Sequence, residues 1–308
     1  MGDFIKNEVK MSIEFYPKNL LYLSYLLLPK KHDQKKILKW KKPQLVKKLL
    51  SEFPHDLVMK HKTYLEKLQP NKAASFQYYQ GPGYMITNNY LRTGDFKFNT
   101  FAIQQEIEQL FSISPNAFKS KIGLETFSKK KIKEFEKFIK NYVKKQSNIV
   151  QKIHTTISDL KNIISHAAPK VQKPFYVYRG ELMEEALSHY IFEDDVDKSK
   201  KKSINYKLGQ LGLKNGQIYK AEGFNSFSMA PWIAISFSGA FVCCVYKLKI
   251  VPKSNVPYLI YPLSQVYKEF EVLFPPAEFK VVDSHVIQSP SSPKVTMQIY
   301  DIEFVKVI

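Results

Sequence analysis

The chain has 308 residues, enough for one large domain or two modest ones around a substantial core. With 44% hydrophobic and 24% charged residues it reads as a folded protein, which excludes a disordered chain. A net charge of +19 favours anionic partners without choosing among nucleic acid, an acidic protein face and an anionic membrane.

In chain order, residues 1–72 hold sixteen lysines against seven acids, a net of +9. Ile37, Leu38, Leu45, Val46, Leu49 and Leu50 recur at helical spacing among them. The segment carries no catalytic motif, so it reads as a basic helical accessory region that a chain starting near Asn71 can do without. Its expected partner is anionic, either nucleic acid or an acidic protein. The apolar run Leu20 to Leu28 is too short to span a bilayer and is followed by Pro29, Lys30 and Lys31 rather than a cleavage site. A core helix is expected there, in a soluble, intracellular protein without a transmembrane segment.

Helical patterns continue from Ser75 to Ala168. In the basic run Lys129 to Lys145, Ile132, Phe135, Phe138, Ile139 and Val143 share one face, and a further helix fits Ile149 to His166. After Pro169 the pattern changes to strands: PFYVYR, QIYKAEGFNSFSM, FVCCVYKLKIV, PYLIY, EFEVLF, FKVV and VTMQIYDIEFVKVI. Helices followed by a block of strands predict an α+β fold, with residues 73–308 as one domain. The stretch Glu193 to Lys202 reads as a surface loop. Cys243 and Cys244 are adjacent in a strand, and the seven histidines form no HExxH-type pair, so no disulfide framework and no metal is expected.

No GxxxxGK[ST] occurs, and Gly81-Pro82-Gly83 is not a GxGxxG between strand and helix, so a Rossmann or P-loop site is unsupported. Three strand-region segments stand out instead: Arg179-Gly180 closing YVYRG, Ser226-Phe227-Ser228, and Glu269-Phe270-Glu271. In an extended chain residues i and i+2 share a face, so Glu269 and Glu271 are expected to project together. Taken singly these motifs are ordinary: a surface arginine, a serine turn, a solvated strand face.

Their order and flanks resemble the Arg/Ser-x-Ser/Glu-x-Glu class of ADP-ribosyltransferases, which includes clostridial binary-toxin and vegetative insecticidal toxin catalytic domains. The likeness spans about residues 75–308. Tyr79, Tyr84, Asn88, Leu91 and Arg92 fall where that class places a Tyr-x-x-x-x-Tyr-x-x-x-Asn-x-x-Leu-Arg helix. Ala167-Ala168-Pro169 before the arginine strand and EVLFPPAEFKVV after the glutamates match as well. Two positions depart: Phe227 stands where threonine is usual, and Ser236-Phe237-Ser238-Gly239-Ala240 lacks an arginine often found there.

The resemblance implies two mainly antiparallel sheets forming a cleft for NAD⁺, which serves as co-substrate for transfer of ADP-ribose to a target protein's arginine, with some NAD⁺ hydrolysis. Glu271 would stabilise the oxocarbenium-like ribose and Arg179 the pyrophosphate, with Arg92 and Asn88 assisting. Ser226 would orient Glu271, Ser228 would shape the strand turn, and Gly180 would offer backbone groups to the nicotinamide amide. Tyr79, Tyr84 and Phe237 would pack on rings of the dinucleotide. Glu269 would orient and deprotonate the incoming guanidine. Tyr267 either touches the target or packs within its own loop. The alternative reading is a basic binding module on a degenerate transferase fold.

Overall fold

The computed structural model describes residues 2–29, 34–94, 149–167, 171, 173–182, 213–237, 242–252, 254–261, 270–289 and 292–308. The chain divides into two compact units, residues 1–67 with 164–308, and residues 68–163.

In the first unit, helices α1 (Gly2–Phe15), α2 (Lys18–Leu26), α3 (Gln34–Leu38), α4 (Lys42–Glu52) and α5 (His55–Leu65) precede the strands. Ile5, Val9 and Ile13 repeat every four residues and so form one buried stripe on α1, with Lys6 and Lys10 exposed beside it. The apolar run of α2 is buried from Leu21 to Tyr25, as a core helix should be. Lys42 Nζ donates to the carbonyl of Glu14 at 2.7 Å, which meets an acceptor at the end of α1 that the helix itself leaves unpaired. These side chains join one continuous hydrophobic cluster with Val177, Trp232, Val272, Phe274, Phe279 and Ile302 of the strand region. Residues 1–67 thus supply part of the core that the strands also build. Their lysines mark only the outer face.

The strands are β1 (Phe175–Leu182), β2 (Ile218–Ala221), β3 (Asn225–Ser228), β4 (Val242–Ile250), β5 (Leu259–Tyr261), β6 (Glu271–Phe274), β7 (Ala277–Ser289) and β8 (Ser292–Val307). They form one sheet in the order β2-β7-β8-β4-β1-β3-β6-β5. All neighbours are antiparallel except β4 and β8. Two sheets were expected and one is found, because β1 and β3 are joined at a single residue pair, Tyr178↔Ser228. On one side of that joint β1 pairs with β4 along its whole length; on the other, β3, β6 and β5 form a short three-stranded piece. FKVV proves to be only part of the thirteen-residue β7. The rest escapes hydrophobic patterning because Val282 to Val286 run exposed along a hairpin with β8, and no face there has to be apolar.

In the second unit, α6 (Pro70–Tyr78) and α7 (Tyr84–Thr93) are joined by a π-helical turn, Tyr79–Gly83. Gly83 permits this turn: a Cβ there would lie 2.5 Å from the Tyr78 carbonyl oxygen and from its ring. Gly94, at φ 65°, ends α7 in the left-handed conformation and donates to the Tyr90 carbonyl at 2.8 Å. Helix α8 (Ile149–Ala167) belongs to this unit as far as Ile163. Ser75 Oγ donates to Asp159 Oδ2 at 2.6 Å, and Lys152 Nζ sits 3.9 Å from the centroid of the Tyr78 ring. The expected Lys129–Lys145 helix and the Glu193–Lys202 loop lie outside the described residues.

Candidate active site

Strand alternation delivers the first group. Arg179 and Glu181 are two apart on β1 and share a face, and Nε of Arg179 donates to Oε1 of Glu181 at 2.5 Å. Glu181 is buried and Arg179 half-buried, so the arginine lies over its carboxylate partner with its distal nitrogens towards the surface. Nη1 reaches the Ser226 carbonyl oxygen at 3.3 Å. A buried carboxylate under a half-exposed guanidinium fixes the plane of that guanidinium as well as part of its charge. Sequence reasoning passed over Glu181; the signal was an Arg-x-Glu at strand spacing.

Strand β3 places Ser228 opposite Glu271 of β6 in the antiparallel register. Ser226, two residues along, hydrogen-bonds the Glu271 carboxylate through its hydroxyl. Burial raises the Glu271 carboxyl above its ordinary range, while the Ser226 hydrogen bond and then the Arg179 charge oppose the shift. Arg179, Ser226 and Glu271, distant in sequence, thus converge at the joint between the two parts of the sheet. Ser228 Oγ accepts from the Ala230 backbone N–H at 3.0 Å, at the entry to helix α9 (Pro231–Phe237). Phe227, the departure from threonine, is buried against Phe274 at 5.2 Å and Phe279 at 6.0 Å; it is a core side chain between the two serines. Gly180 is half-buried on β1, and Phe237 at the end of α9 is exposed.

Of the two glutamates only Glu271 lies among the described residues. β6 begins at Glu271, and Phe270 has φ 48°, a left-handed conformation that costs an aromatic residue about 1–3 kcal/mol. Phe270 thus departs from extended geometry immediately ahead of Glu271. The sequence has no glycine or asparagine at that position to announce the turn. Glu269 and Tyr267 lie outside the described residues.

The remaining candidates sit in the second unit. Tyr79 opens the π-helical turn and is buried, and its hydroxyl accepts from Nδ2 of Asn88 at 3.2 Å. Arg92 is one turn beyond Asn88 and exposed, as is Tyr84. π-Helical turns are frequent at functional sites.

Among the described residues a cluster of Asp283, His285 and Asp301 brings three potential metal-ligand atoms within 4.8 Å of one another. It forms because β7 and β8 pair Asp283 with Asp301, a register no spacing rule reveals. Lys247 Nζ lies 3.4 Å from Asp301 and already supplies a cation.

Arg179, Ser226 and Glu271 thus stand on three adjacent strands where the mixed sheet divides. Residues 119–302 match the model of the ADP-ribosyltransferase exoenzyme family, more than half of the chain. The chain belongs to that family of NAD⁺-dependent transferases. Among solved structures it is similar to C2-I, the enzymatic component of the C2 toxin of Clostridium botulinum, at 16% identity over 80% of this chain and TM-score 0.48. It is also similar to BECa of the C. perfringens binary enterotoxin, solved with NADH, at 16% identity over 80% of this chain and TM-score 0.47. The Vis toxin of Vibrio splendidus aligns at 16% identity over 91% of this chain and 88% of its own, with TM-score 0.42. The chain spans 46% of the length of C2-I and of BECa. No curated protein matches it in sequence. No described helix is long and apolar enough to cross a membrane.

Proposed function

We propose that the protein is an NAD⁺:protein-arginine mono-ADP-ribosyltransferase with a side NAD⁺ glycohydrolase activity. The observation that carries this reading is the convergence of Arg179 and Ser226 on a Glu271 carboxylate whose ionised form is raised in energy by burial. Such a carboxylate gains most when positive charge develops next to it, as it does on a ribose losing nicotinamide.

The bond between C1′ and the nicotinamide nitrogen breaks with its electron pair leaving on nicotinamide. Glu271 faces the cationic sugar and holds its 2′-hydroxyl, with Ser226 orienting the carboxylate. Arg179 binds the pyrophosphate with Asn88 and Arg92 assisting, and Tyr79, Tyr84 and Phe237 pack on the rings. Gly180 offers backbone groups to the carboxamide, and Ser228 sets the turn into α9. Glu269 takes a proton from the acceptor guanidinium as its nitrogen bonds to C1′. Tyr267 contacts the target. No metal is needed for these steps. The lysine-rich outer face of residues 1–67 suits an acidic surface on the target.

Incubation with labelled NAD⁺ and agmatine tests the reading directly. Glu269→Gln is expected to abolish agmatine modification while nicotinamide release by water persists, since water needs no deprotonation before attack on so reactive an electrophile. Equal loss of both activities would sink the division of labour; wild-type transfer would sink the role of Glu269. Arg179→Lys keeps the charge but loses the fork and the fixed plane over Glu181, so NAD⁺ affinity should fall by about tenfold or more in a calorimetric titration. Unchanged affinity would remove Arg179 from the pyrophosphate.

A further inference from the structure

Two contacts run from the amino-terminal helices to the strands around Glu271. The first is His61, fully buried on α5. Its Nδ1 accepts from the backbone N–H of Ile260 at 3.1 Å, across 199 residues of sequence. β5 has only three residues, lies at the end of the sheet and pairs with β6 alone, Tyr261 standing opposite Glu271. Ile260 therefore turns its N–H to the outer edge, which a short strand leaves open unless something covers it, and His61 covers it. With Nδ1 accepting, the imidazole is neutral and carries its proton on Nε2. Burial pushes the His61 pKa down to about 3, so the acceptor persists across any ordinary assay pH. The ring also lies 5.3 Å from that of Tyr258, just ahead of β5.

The second contact is Phe53, between α4 and α5. Its ring meets the edge of the Phe270 ring at 5.0 Å. Phe270 is buried, left-handed, and immediately precedes Glu271; the Met229 N–H donates to its carbonyl at 3.0 Å. A strained backbone persists only where its surroundings hold it, and here the aromatic packing comes from the amino-terminal helices. Phe53 also lies 6.2 Å from Trp232, whose Nε1 donates to Ser12 of α1 at 3.0 Å.

We propose that His61 and Phe53 are positioning residues for the Glu271 carboxylate, His61 through the outer edge of β5 and Phe53 through the left-handed Phe270. The amino-terminal helices are then part of the reaction apparatus and not only of the core. The inference rests on reading Glu271 as the catalytic carboxylate.

The test uses full-length His61→Leu, His61→Asn, Phe53→Leu and Glu271→Gln, with nicotinamide release followed against pH and rates normalised to the folded fraction by near-ultraviolet circular dichroism. His61→Leu and Phe53→Leu should each lower kcat by about tenfold, because small displacements of a reacting group cost this much or more. The KM for NAD⁺ should stay within about twofold, and the acid limb of the pH profile, which reports Glu271, should move. His61→Asn places an amide oxygen near the position of Nδ1 and should recover most of kcat. Should His61→Leu not fold, His61→Gln takes its place, since its longer side chain carries the amide past Ile260. A normal kcat and an unmoved acid limb in both the His61→Leu (or Gln) and Phe53→Leu proteins overturn the proposal, as does an Asn variant no better than Leu. A fully active Glu271→Gln protein overturns the underlying reading instead.

Discussion

Glu271→Gln should reduce both transfer and NAD⁺ hydrolysis by at least about a hundredfold, as the loss of a main electrostatic stabiliser does. The fold should not suffer. Burial raises the carboxyl pKa in the folded state, so the folded protein prefers the protonated form and its stability falls as pH rises through that raised value. Glutamine resembles the protonated form. At neutral pH the variant should melt no lower than wild type, and any advantage should vanish as pH drops below the ordinary glutamate range. His61 works in the other direction, with stability lost as pH falls from its unfolded value near 6.5 towards about 3. That effect is common to both proteins, so the difference between their melting curves isolates Glu271. Near-wild-type turnover, or a marked loss of melting temperature at neutral pH, would count against the assignment.

Removal of residues 1–67 should abolish cooperative folding. The deletion strips from the shared core Ile5, Val9, Ile13, Leu21, Leu45, Leu49 and Val58, among others, and exposes Trp232 and Phe270. Each buried aliphatic side chain contributes about 1.5–3 kcal/mol, and a domain's whole margin is about 5–15 kcal/mol. A thermal scan of a chain starting at Leu68 should show no sharp transition, and limited proteolysis no protected fragment. A cooperative melt would show the amino-terminal region to be a separable accessory.

The amino-terminal segment shows where reading the sequence runs out. Lysines dominate residues 1–72, and a count of charge sees them before it sees that Ile5, Val9 and Ile13 share one stripe. Hydrophobic runs after Pro169 marked the strands well, because those strands are half-buried against a core. The polar part of β7 left no such mark. Arg179, Ser226 and Glu271 were legible as motifs, and strand geometry explains their meeting. Glu181 and His61 were not: one pairs locally with a residue already noticed, and the other acts across 199 positions. The left-handed Phe270 was hidden because phenylalanine rarely adopts that backbone, and its surroundings, Phe53 and the Met229 N–H among them, come from distant parts of the chain.

The single rung between β1 and β3 has a mechanical meaning. Arg179 stands on one side of it, Ser226 and Glu271 on the other, so the separation of the cationic and anionic halves of the site is set at Tyr178↔Ser228. A wide ladder would transmit the twist of five strands into the remaining three and lock them as one rigid plate. One rung acts more like a pivot. It fixes the angle between the two parts of the sheet less tightly than a full ladder would, and leaves that task to the core packed beneath both.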